Sequence, residues 1–341
     1  MKRLINKNDA PIDIVFPWVD GSDSEWLECK RKYDTNCSGD NSEKRFRDWD
    51  ILRYVFRSIE KNTPWVRKVH FITWGHLPEW LDASYEKLNI VNHKDYIPSE
   101  YLPTFNSHTI ELNIHRIDDL ADQFIYMNDD MFFTKPAKEE DFFADGLPRS
   151  SASLGVMSAF DDVFIGILNS DKTVINRNFN SKDILMNPKL LAKFFSFKNG
   201  ISANLKTLCL LPWCTGVYPG FEYFHGPNAY LKRTFIDVWN KESKKLDETC
   251  SHKFRQFNDV NQYLMLWWQW CKGTFVPINN SKKLKLIRTD RDVNYIKNAM
   301  DNNKASFLCV NDTNIDDFEA KQAVIIDCFE RMFPEKSKFE K

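Results

Sequence analysis

Short apolar runs alternate with helical patterns through the first third of the chain. Four such runs predict buried strands, at residues 12–16, 69–74, 88–91 and 124–127. Between them, apolar residues recur with helical spacing from Trp49 to Pro64, and again after Pro103 at Ile110, Ile114, Ile117 and Leu120. Strands that alternate with helices predict an α/β fold, in which helices cover both faces of one sheet.

The rest of the chain is more helical. Residues 146–220 carry mixed signals, with a helical pattern at 185–197 that is followed by Pro212 and Pro219. Residues 230–270 and 316–333 also predict helices. We therefore expect an α/β half at 1–145, a largely helical insertion or lid at 146–220, and a helical half at 221–341 that completes the same domain.

Composition excludes several classes of protein. The 47 Lys and Arg nearly balance the 48 Asp and Glu, which argues against a dedicated nucleic-acid binder. Hydrophobic residues make up 43% of the chain, too many for a disordered protein. Every apolar run is shorter than the roughly 20 residues needed to span a bilayer. Residues 1–10 are basic but lack the apolar segment of a secretion signal, so we expect a cytoplasmic protein.

Common cofactor motifs are absent from the sequence. It contains no G-x-G-x-x-G, no G-x-x-x-x-G-K-[ST], no H-E-x-x-H and no G-x-S-x-G. No motif therefore supports a dinucleotide-binding protein, a P-loop nucleotide-binding protein, a zinc protease or a serine hydrolase.

The most informative local feature is an acidic pair, Asp129 and Asp130, at the end of a predicted strand. In α/β sheets, ligands bind beyond the carboxyl ends of the strands. Carboxylate oxygens are hard ligands that suit Mg²⁺ or Mn²⁺. The alternative is a turn that only caps the following segment. The apolar strand before the pair favours the metal interpretation.

A second candidate is a polar helix face formed by His108, Glu111 and His115, which are spaced i, i+3 and i+7. Two imidazoles and a carboxylate on one face could hold an acceptor hydroxyl or a phosphate. The residues taken alone favour the alternative, an ordinary solvated face.

Four further features each have a structural and a functional reading. His225 follows an aromatic run, a setting that fits a structural role better than a catalytic one. Arg255 is either a phosphate clamp or a surface cation. Trp18 belongs to the core or stacks on a base or sugar. The basic run from Lys282 to Arg291 is a solvated face or a contact for anionic lipid or polymer.

Taken together, these segments resemble the Stealth family of hexose-1-phosphate transferases, which includes bacterial capsule and surface-polysaccharide enzymes. The resemblance rests on four blocks in the same order, at residues 12–23, at 45–133, at His225 with 251–255 and Asp259, and at 308–313. The second block spans nearly 90 residues, too many for a chance match.

The resemblance implies a Rossmann-like, glycosyltransferase-A-like mixed sheet flanked by helices, and it assigns residues to roles. It implies that the catalytic residues are Glu111, Asp130, His225 and Arg255. It implies substrate contacts at Trp18, Asp20, Gly21, Arg47, Asn106 and His108. It implies that Asp129, Asp130 and Asp312 hold Mg²⁺ or Mn²⁺.

The reaction implied by the resemblance is transfer of a hexose-1-phosphate, or an N-acetylhexosamine-1-phosphate, from a UDP-sugar to a sugar hydroxyl, with release of UMP. The expected acceptor is a glycan or a lipid-linked oligosaccharide, with peripheral contact at the inner face of the cell membrane and no nucleic-acid partner. Two alternatives remain open. A metal-dependent glycosyltransferase would release UDP, and a carbohydrate-binding or scaffold protein would catalyse nothing.

Overall fold

A computed structural model of the chain describes residues 10–34, 39–40, 42, 46–157, 163–280, 283–313 and 315–341. Arg45 of the second sequence block and Lys282 of the basic run lie outside these ranges. The strands are β1 (Ile12–Pro17), β2 (Val69–Thr73), β3 (Leu88–Asn92), β4 (Gln123–Tyr126), β5 (Met131–Phe133), β6 (Phe143–Ala144), β7 (Leu147–Ser150), β8 (Asn228–Leu231), β9 (Val276–Pro277), β10 (Leu284–Arg288) and β11 (Phe307–Asn311).

The helices alternate with these strands in the first third and dominate later. They are α1 (Ser24–Asp34), α2 (Leu52–Asn62), α3 (His93–Tyr96), α4 (Ser107–Leu112), α5 (Val163–Asn178), α6 (Asp183–Met186), α7 (Pro188–Phe194), α8 (Ile201–Leu210), α9 (Lys232–Ser251), α10 (Gln262–Cys271), α11 (Val293–Asp301) and α12 (Phe318–Met332). Among the described residues, no helix is both long and apolar enough to cross a membrane.

The main sheet has five strands in the order β3-β2-β1-β4-β8. The first four are parallel and β8 runs antiparallel to β4, so the predicted mixed α/β sheet is confirmed. The chain builds outward from β1 to β3 and then returns to place β4 on the other side of β1. This reversal of strand order opens a crevice at the carboxyl ends of β1 and β4, where ligands of such sheets bind.

Alternation along β1 divides the core between the two faces of the sheet. Ile14 and Phe16 pack on one face with Phe56 of α2, whose ring centroid lies 5.3 Å from that of Phe16. Val15 points to the other face, into a core that includes Trp267 of α10. All ten residues of α10 are buried. Helices therefore cover both faces, as the alternating pattern predicted.

A small second sheet, in the order β10-β11-β5, closes the carboxyl end of β4. Strand β5 begins directly after Asp130 and pairs antiparallel with β11, which places Cys309 opposite Met131. The Val310 amide also donates to the Asp130 carbonyl at 2.9 Å. This pairing brings the end of β11, and with it Asp312, to the acidic turn after β4.

Two helix predictions need correction. The predicted helix at 185–197 is interrupted, because Asn187 adopts an extended backbone and its side chain caps α7, which starts at Pro188. The predicted helical region at 230–270 begins with the end of β8 and contains a loop at 252–261 between α9 and α10. The proposed domain boundaries remain predictions.

The helix predicted after Pro103 is also shorter than expected. It ends at Leu112, where Asn113 turns its side chain back to donate to the Thr109 carbonyl at 2.8 Å, and a single 3₁₀ turn follows at Ile114–Arg116. Asparagine side chains compete in this way with helix continuation. The helical spacing therefore fails beyond this point.

A buried carboxylate of β1, Asp13, is bonded to β2 and to the segments that precede β2 and β4. Asp13 is fully buried and accepts two hydrogen bonds from Arg67, at 2.8 and 2.6 Å. It also accepts hydrogen bonds from His70 Nε2 at 2.9 Å and from the Ala121 amide at 2.8 Å. Burial alone would raise the pKa of Asp13, but the hydrogen bonds from His70 and Arg67 lower it below 3.8.

We expect Asp13→Asn to lower the free energy of unfolding by about 2 kcal/mol, because the amide accepts more weakly from Arg67 and from the buried His70, while Arg67 keeps its ion pair with Asp119. Since the pKa of Asp13 is lowered by folding, its charge stabilises the fold above pH 4 and this contribution is lost as the pH falls further. Urea unfolding at pH 6 and pH 3 measures both effects. The exposed Asp118→Asn is the control, and equal stability of the two variants at pH 6 would contradict the prediction.

Candidate active site

A cavity of about 800 Å³ lies at the carboxyl ends of β1 and β4. Its size is in the range of small-molecule binding sites. Most of the sequence-predicted site residues line it, namely Trp18, Arg47, His108, Glu111, Asp129, Asp130, His225, Arg255 and Asp312. Three others, Asp20, Gly21 and Asn106, do not line it. Residues from all four sequence blocks therefore meet at one cavity.

The acidic turn after β4 forms one wall. Burial, together with the charges of Asp130 and Asp48, raises the pKa of Asp129 to about 8. Burial also raises the pKa of Asp130, against the opposing effect of His225. Asp130 Oδ1 is buried and accepts no hydrogen bond from any residue that the structure describes. Asp130 Oδ1 is therefore an acceptor that a bound cation could occupy, and a cation would favour the charged forms of both carboxyls.

Three groups at this wall could share one metal ion. One ligand atom from each of Asp130, His225 and Cys309 lies within 4.8 Å of the other two. The Cys309 thiol donates to Asp130 Oδ2 at 3.4 Å. Asp129 and Asp312 line the same cavity but stand outside this cluster of three. Asp130 is thus common to the predicted ligand set and to the observed cluster.

Asp312 lies at the end of β11 and pairs with Arg47. The Arg47 guanidinium donates to Asp312 Oδ1 at 3.2 Å, and the Thr289 hydroxyl lies 3.3 Å from the same oxygen. Arg47 also lies over the Phe318 ring, 5.5 Å from its centroid. This pair gives the acidic wall a cationic neighbour that an anionic substrate could also contact.

Helix α4 supplies another part of the lining. His108 and Glu111 are only 3% and 7% exposed, so the solvated-face alternative is wrong. His115 is not part of this face, because α4 ends before it, and its ring packs against Phe235 and Trp239. Burial also lowers the pKa of His115 to about 4. The predicted group of three is therefore a pair.

A buried carboxylate, Asp259, holds α4 against the loop that carries Arg255. It accepts hydrogen bonds from Asn106 Nδ2 at 2.8 Å, His108 Nδ1 at 3.4 Å and His252 Nδ1 at 2.6 Å. Burial would raise the pKa of Asp259, but hydrogen bonds from His108 and His252 lower it to about 2. Asn106 thus acts from behind the cavity, through Asp259 and as the cap of α4.

Arg255 reaches the cavity from the same loop. Its guanidinium donates to the Ser107 hydroxyl at 2.7 Å, and its carbonyl accepts from the Asp40 amide at 2.9 Å. Ser107 is the first residue of α4. Arg255 and His108 are therefore positioned by the same short segment, beside a cavity where a guanidinium could bind phosphate oxygens.

Glu111 and His225 are both oriented by the first turn of α10. The Gln262 backbone amide donates to Glu111 Oε2 at 3.3 Å, and His225 Nδ1 is hydrogen-bonded to the Tyr263 hydroxyl at 3.2 Å. The Asn261 amide donates to Asp171 Oδ1 at 3.0 Å, on α5. The buried helix α10 therefore fixes two of the residues that the resemblance marks as catalytic.

The first sequence block contributes mainly through backbone shape. The Trp18 ring stacks on Phe71 at 5.7 Å, so most of it belongs to the core. The Asp20 amide donates to His76 Nε2 at 2.7 Å, outside the cavity. A Cβ on Gly21 would lie 1.8 Å from the Phe46 carbonyl oxygen, so only glycine lets the segment with Arg47 pass this close.

Sequence reasoning missed three residues of this site. Cys309 and Asp48 line or face the acidic wall, and Tyr263 orients His225. Cys309 lies in an apolar strand that ends in Asn311 and Asp312, the same strand-end signal that marked Asp130. Asp48 and Tyr263 carry no signal of their own, because their positions depend on chain packing.

An α/β cavity lined by carboxylates, imidazoles and arginines is typical of an enzyme that acts on an anionic substrate. Comparison with known proteins identifies the class. Residues 10–36 match Stealth protein CR1, conserved region 1, and residues 45–150 match Stealth protein CR2, conserved region 2. The chain belongs to the Stealth family.

Curated relatives match nearly the whole chain. The capsular polysaccharide phosphotransferase WcwK of Streptococcus pneumoniae is 39% identical over 98% of this chain and 99% of its own. The receptor polysaccharide phosphotransferase WefC of Streptococcus gordonii is 37% identical, over 96% and 98%. The exopolysaccharide phosphotransferase cps2G of Lactiplantibacillus plantarum is 35% identical, over 100% of both chains.

A solved structure of the galactosyltransferase LgtC, in complex with donor and acceptor sugar analogs, also aligns with this chain. The alignment covers 94% of this chain and 95% of the other, with 13% identity and a TM-score of 0.40.

We expect Asp259→Asn to reduce kcat/KM by about 10-fold or more, because small displacements of positioned groups are costly in an active site. The asparagine amide has the size of the carboxylate. It is uncharged, however, and its single oxygen is a weaker acceptor for the hydrogen bonds from His108 and His252. Steady-state kinetics on the folded variant measures the effect. The matched control is Asp237→Asn, because Asp237 forms only an exposed ion pair with Lys272 in the described residues. Unchanged kinetics with Asp259→Asn would show that this network does not position the site.

Proposed function

We propose that this protein transfers a hexose-1-phosphate, or an N-acetylhexosamine-1-phosphate, from a UDP-sugar to a sugar hydroxyl in the synthesis of a capsular or extracellular polysaccharide. The observation that carries the proposal is the full-length match to curated polysaccharide phosphotransferases at 35–39% identity. The cavity supports it, since acidic, basic and imidazole groups surround one space. A cytoplasmic location and a glycan or lipid-linked oligosaccharide acceptor belong to the same proposal.

The proposed step is an in-line displacement at the β-phosphorus of the donor. The acceptor oxygen forms a new P–O bond, the bond from that phosphorus to the bridging oxygen breaks, and UMP leaves with the bridging oxygen. The acceptor proton passes to a protein base. Such transfers depend more on positioning and charge neutralisation than on covalent help from the protein.

We assign the base role to Glu111. His225 is the other candidate, but it lies beside Asp130 and Cys309 at the acidic wall, where a metal or phosphate oxygen would engage it. Glu111 lies outside that group of three, and its carboxylate is oriented by the Gln262 backbone amide. Arg255 would bind phosphate oxygens, and Arg47 would contact the diphosphate beside Asp312.

The acidic wall fits a divalent cation, because Asp130 Oδ1 is buried without a hydrogen-bond donor among the described residues. Asp130 would hold Mg²⁺ or Mn²⁺ with help from Asp129 and Asp312, and His225 and Cys309 would favour the softer ion of the two. When bound, the ion would offset negative charge on the diphosphate.

We expect turnover to require a divalent cation and to be lost in EDTA. Asp130→Asn should lower kcat by about 10³-fold or more while leaving the thermal midpoint close to that of the wild type, because Asp130 contributes little to the core. The exposed Asp118→Asn is the matched control. Full activity of a metal-stripped sample in chelator would remove the metal from the proposal.

We expect Glu111→Gln and His108→Ala to differ in kind. Loss of a general base lowers kcat by roughly 10²- to 10⁴-fold. His108 donates a hydrogen bond from Nδ1 to Asp259, so we expect it to position the cavity lining rather than to exchange protons with substrate. Removing its side chain should therefore mainly raise KM. Initial-rate kinetics over donor and acceptor concentrations separates the two. Equal, mild rises of KM in both variants would mean that neither residue takes part in the chemistry.

The reaction type is tested by incubating the enzyme with a panel of nucleotide sugars, a divalent cation and an acceptor glycan. Release of UMP supports phosphotransfer. Release of UDP supports the alternative, a glycosyltransferase that attacks the anomeric carbon, and binding without turnover supports a carbohydrate-binding protein.

A further inference from the structure

Helix α8 and the turns beside it expose a row of large apolar side chains. Ile201, Leu205 and Leu208 share one helix face and are 80%, 55% and 56% exposed. Phe197, just before the helix, is 97% exposed, and Trp213, just after it, is 70% exposed. We call these five residues the apolar ridge.

The middle of α8 is anchored to the protein by polar groups, and Leu210 at its end packs against the core. The row of exposed apolar side chains on this helix faces outward, whereas a surface helix usually turns its apolar face inward. Thr207 is fully buried, and its hydroxyl accepts from the Leu154 amide at 3.2 Å. The Ala203 carbonyl accepts from the Ser153 hydroxyl at 3.2 Å, and Asn204 donates to the Ser196 carbonyl at 3.1 Å. The helix is therefore anchored by hydrogen bonds while its apolar stripe faces out, and such exposed patches mark interaction sites.

The charge around the ridge is positive. Residues 181–217 contain five lysines and one acidic residue, Asp183, which gives a net charge of +4. Lys193 donates inward to the Gly273 and Phe275 carbonyls, and Lys206 pairs with Glu222 at 2.9 Å. The other three, Lys182, Lys189 and Lys198, are exposed.

From this arrangement we propose that the apolar ridge docks on an anionic membrane surface. Apolar side chains beside lysines, with a tryptophan at one end, form the pattern by which interfacial helices bind lipid. Each lysine near an anionic surface contributes further attraction. A second copy of the chain is a poorer occupant, because it would bring the same positive charge to the contact.

The basic run at 282–291 is less suited to this role. Arg288 pairs with Asp290 at 2.6 Å, and Lys283 lies 3.9 Å from Asp141. Lys282 lies outside the described residues. These pairs offset part of the charge that the sequence pattern offered to a membrane, and the run contains no comparable row of exposed apolar side chains among its described residues.

A chain of hydrogen bonds links the ridge to the cavity. Helix α8 is bonded to Ser153 and Leu154, and the Glu222 amide donates to the Ser153 carbonyl at 3.0 Å. The chain then passes directly to Tyr223 and His225, which line the cavity. Docking would therefore hold this wall of the cavity near the lipid surface. The benefit for a lipid-linked acceptor rests on the proposed function, whereas the docking itself does not.

Co-sedimentation with lipid vesicles tests the proposal. The purified chain is mixed with vesicles of phosphatidylcholine containing phosphatidylglycerol, and with vesicles of phosphatidylcholine alone. We expect binding to the anionic vesicles, and about tenfold or greater weakening in the triple variant Ile201→Gln, Leu205→Gln, Leu208→Gln. Ile236→Gln, an exposed apolar residue of α9, is the matched control and should bind as the wild type does.

Turnover with a short, water-soluble acceptor should be unchanged in the triple variant, so a failure of docking and a failure of the proposed reaction can be told apart. If the triple variant does not fold, quenching of tryptophan fluorescence by brominated lipid in the wild type, and its reduction in Trp213→Phe, tests the same contact. The proposal is overturned if the wild type stays in the supernatant with anionic vesicles, or if the triple variant binds equally well. Light scattering that shows a dimer, made monomeric by the triple variant, would instead assign the ridge to a second copy.

Discussion

The crowding of carboxylates at the carboxyl end of β4 is the constraint on which the rest of the site depends. Asp129 and Asp130 are adjacent in sequence, and burial raises the pKa values of both. The charge of Asp130 adds to the rise at Asp129, and the charge of Asp312 adds to the rise at Asp130. Buried, crowded carboxylates destabilise a fold, and neutral side chains at these two positions would be more stable. A bound cation would offset this loss of stability. The pairing of β5 with β11 brings Asp312 and Cys309 to the same turn, where they could also face the cation.

Helix α4 and the loop of Arg255 are organised by a further carboxylate, Asp259, whose environment is the reverse of that of Asp129 and Asp130. Asp259 is buried but surrounded by donors, so it remains charged and holds His108 beside the loop of Arg255. Helix α10 then orients Glu111 and His225 through its first turn. The cavity thus combines the acidic turn, where Asp130 Oδ1 has no donor among the described residues, with a segment that is held in place by the well-satisfied Asp259. An anionic sugar donor bound together with a cation suits such a cavity.

Apolar runs mark strands, so the sequence allowed the α/β fold and the strand end with Asp129 and Asp130 to be predicted. Other residues of the cavity, such as Arg47, His225 and Arg255, were predicted only through the resemblance to the Stealth family. The sequence also allowed the pair His108 and Glu111 to be placed on one face. It did not allow the end of α4 to be predicted, since a single asparagine side chain stops the helix before His115. Nor could periodicity reveal the partners of Asp13 or the outward apolar face of α8, since both depend on contacts between distant segments.

The central claim is that the phosphate travels with the sugar. A UDP-sugar labelled with ³²P at its β-phosphate tests this directly, because that phosphorus is the reacting atom. The account predicts that the label appears in the acceptor glycan and that the nucleotide product is unlabelled UMP. Label recovered in UDP, with an unlabelled glycan product, would contradict it.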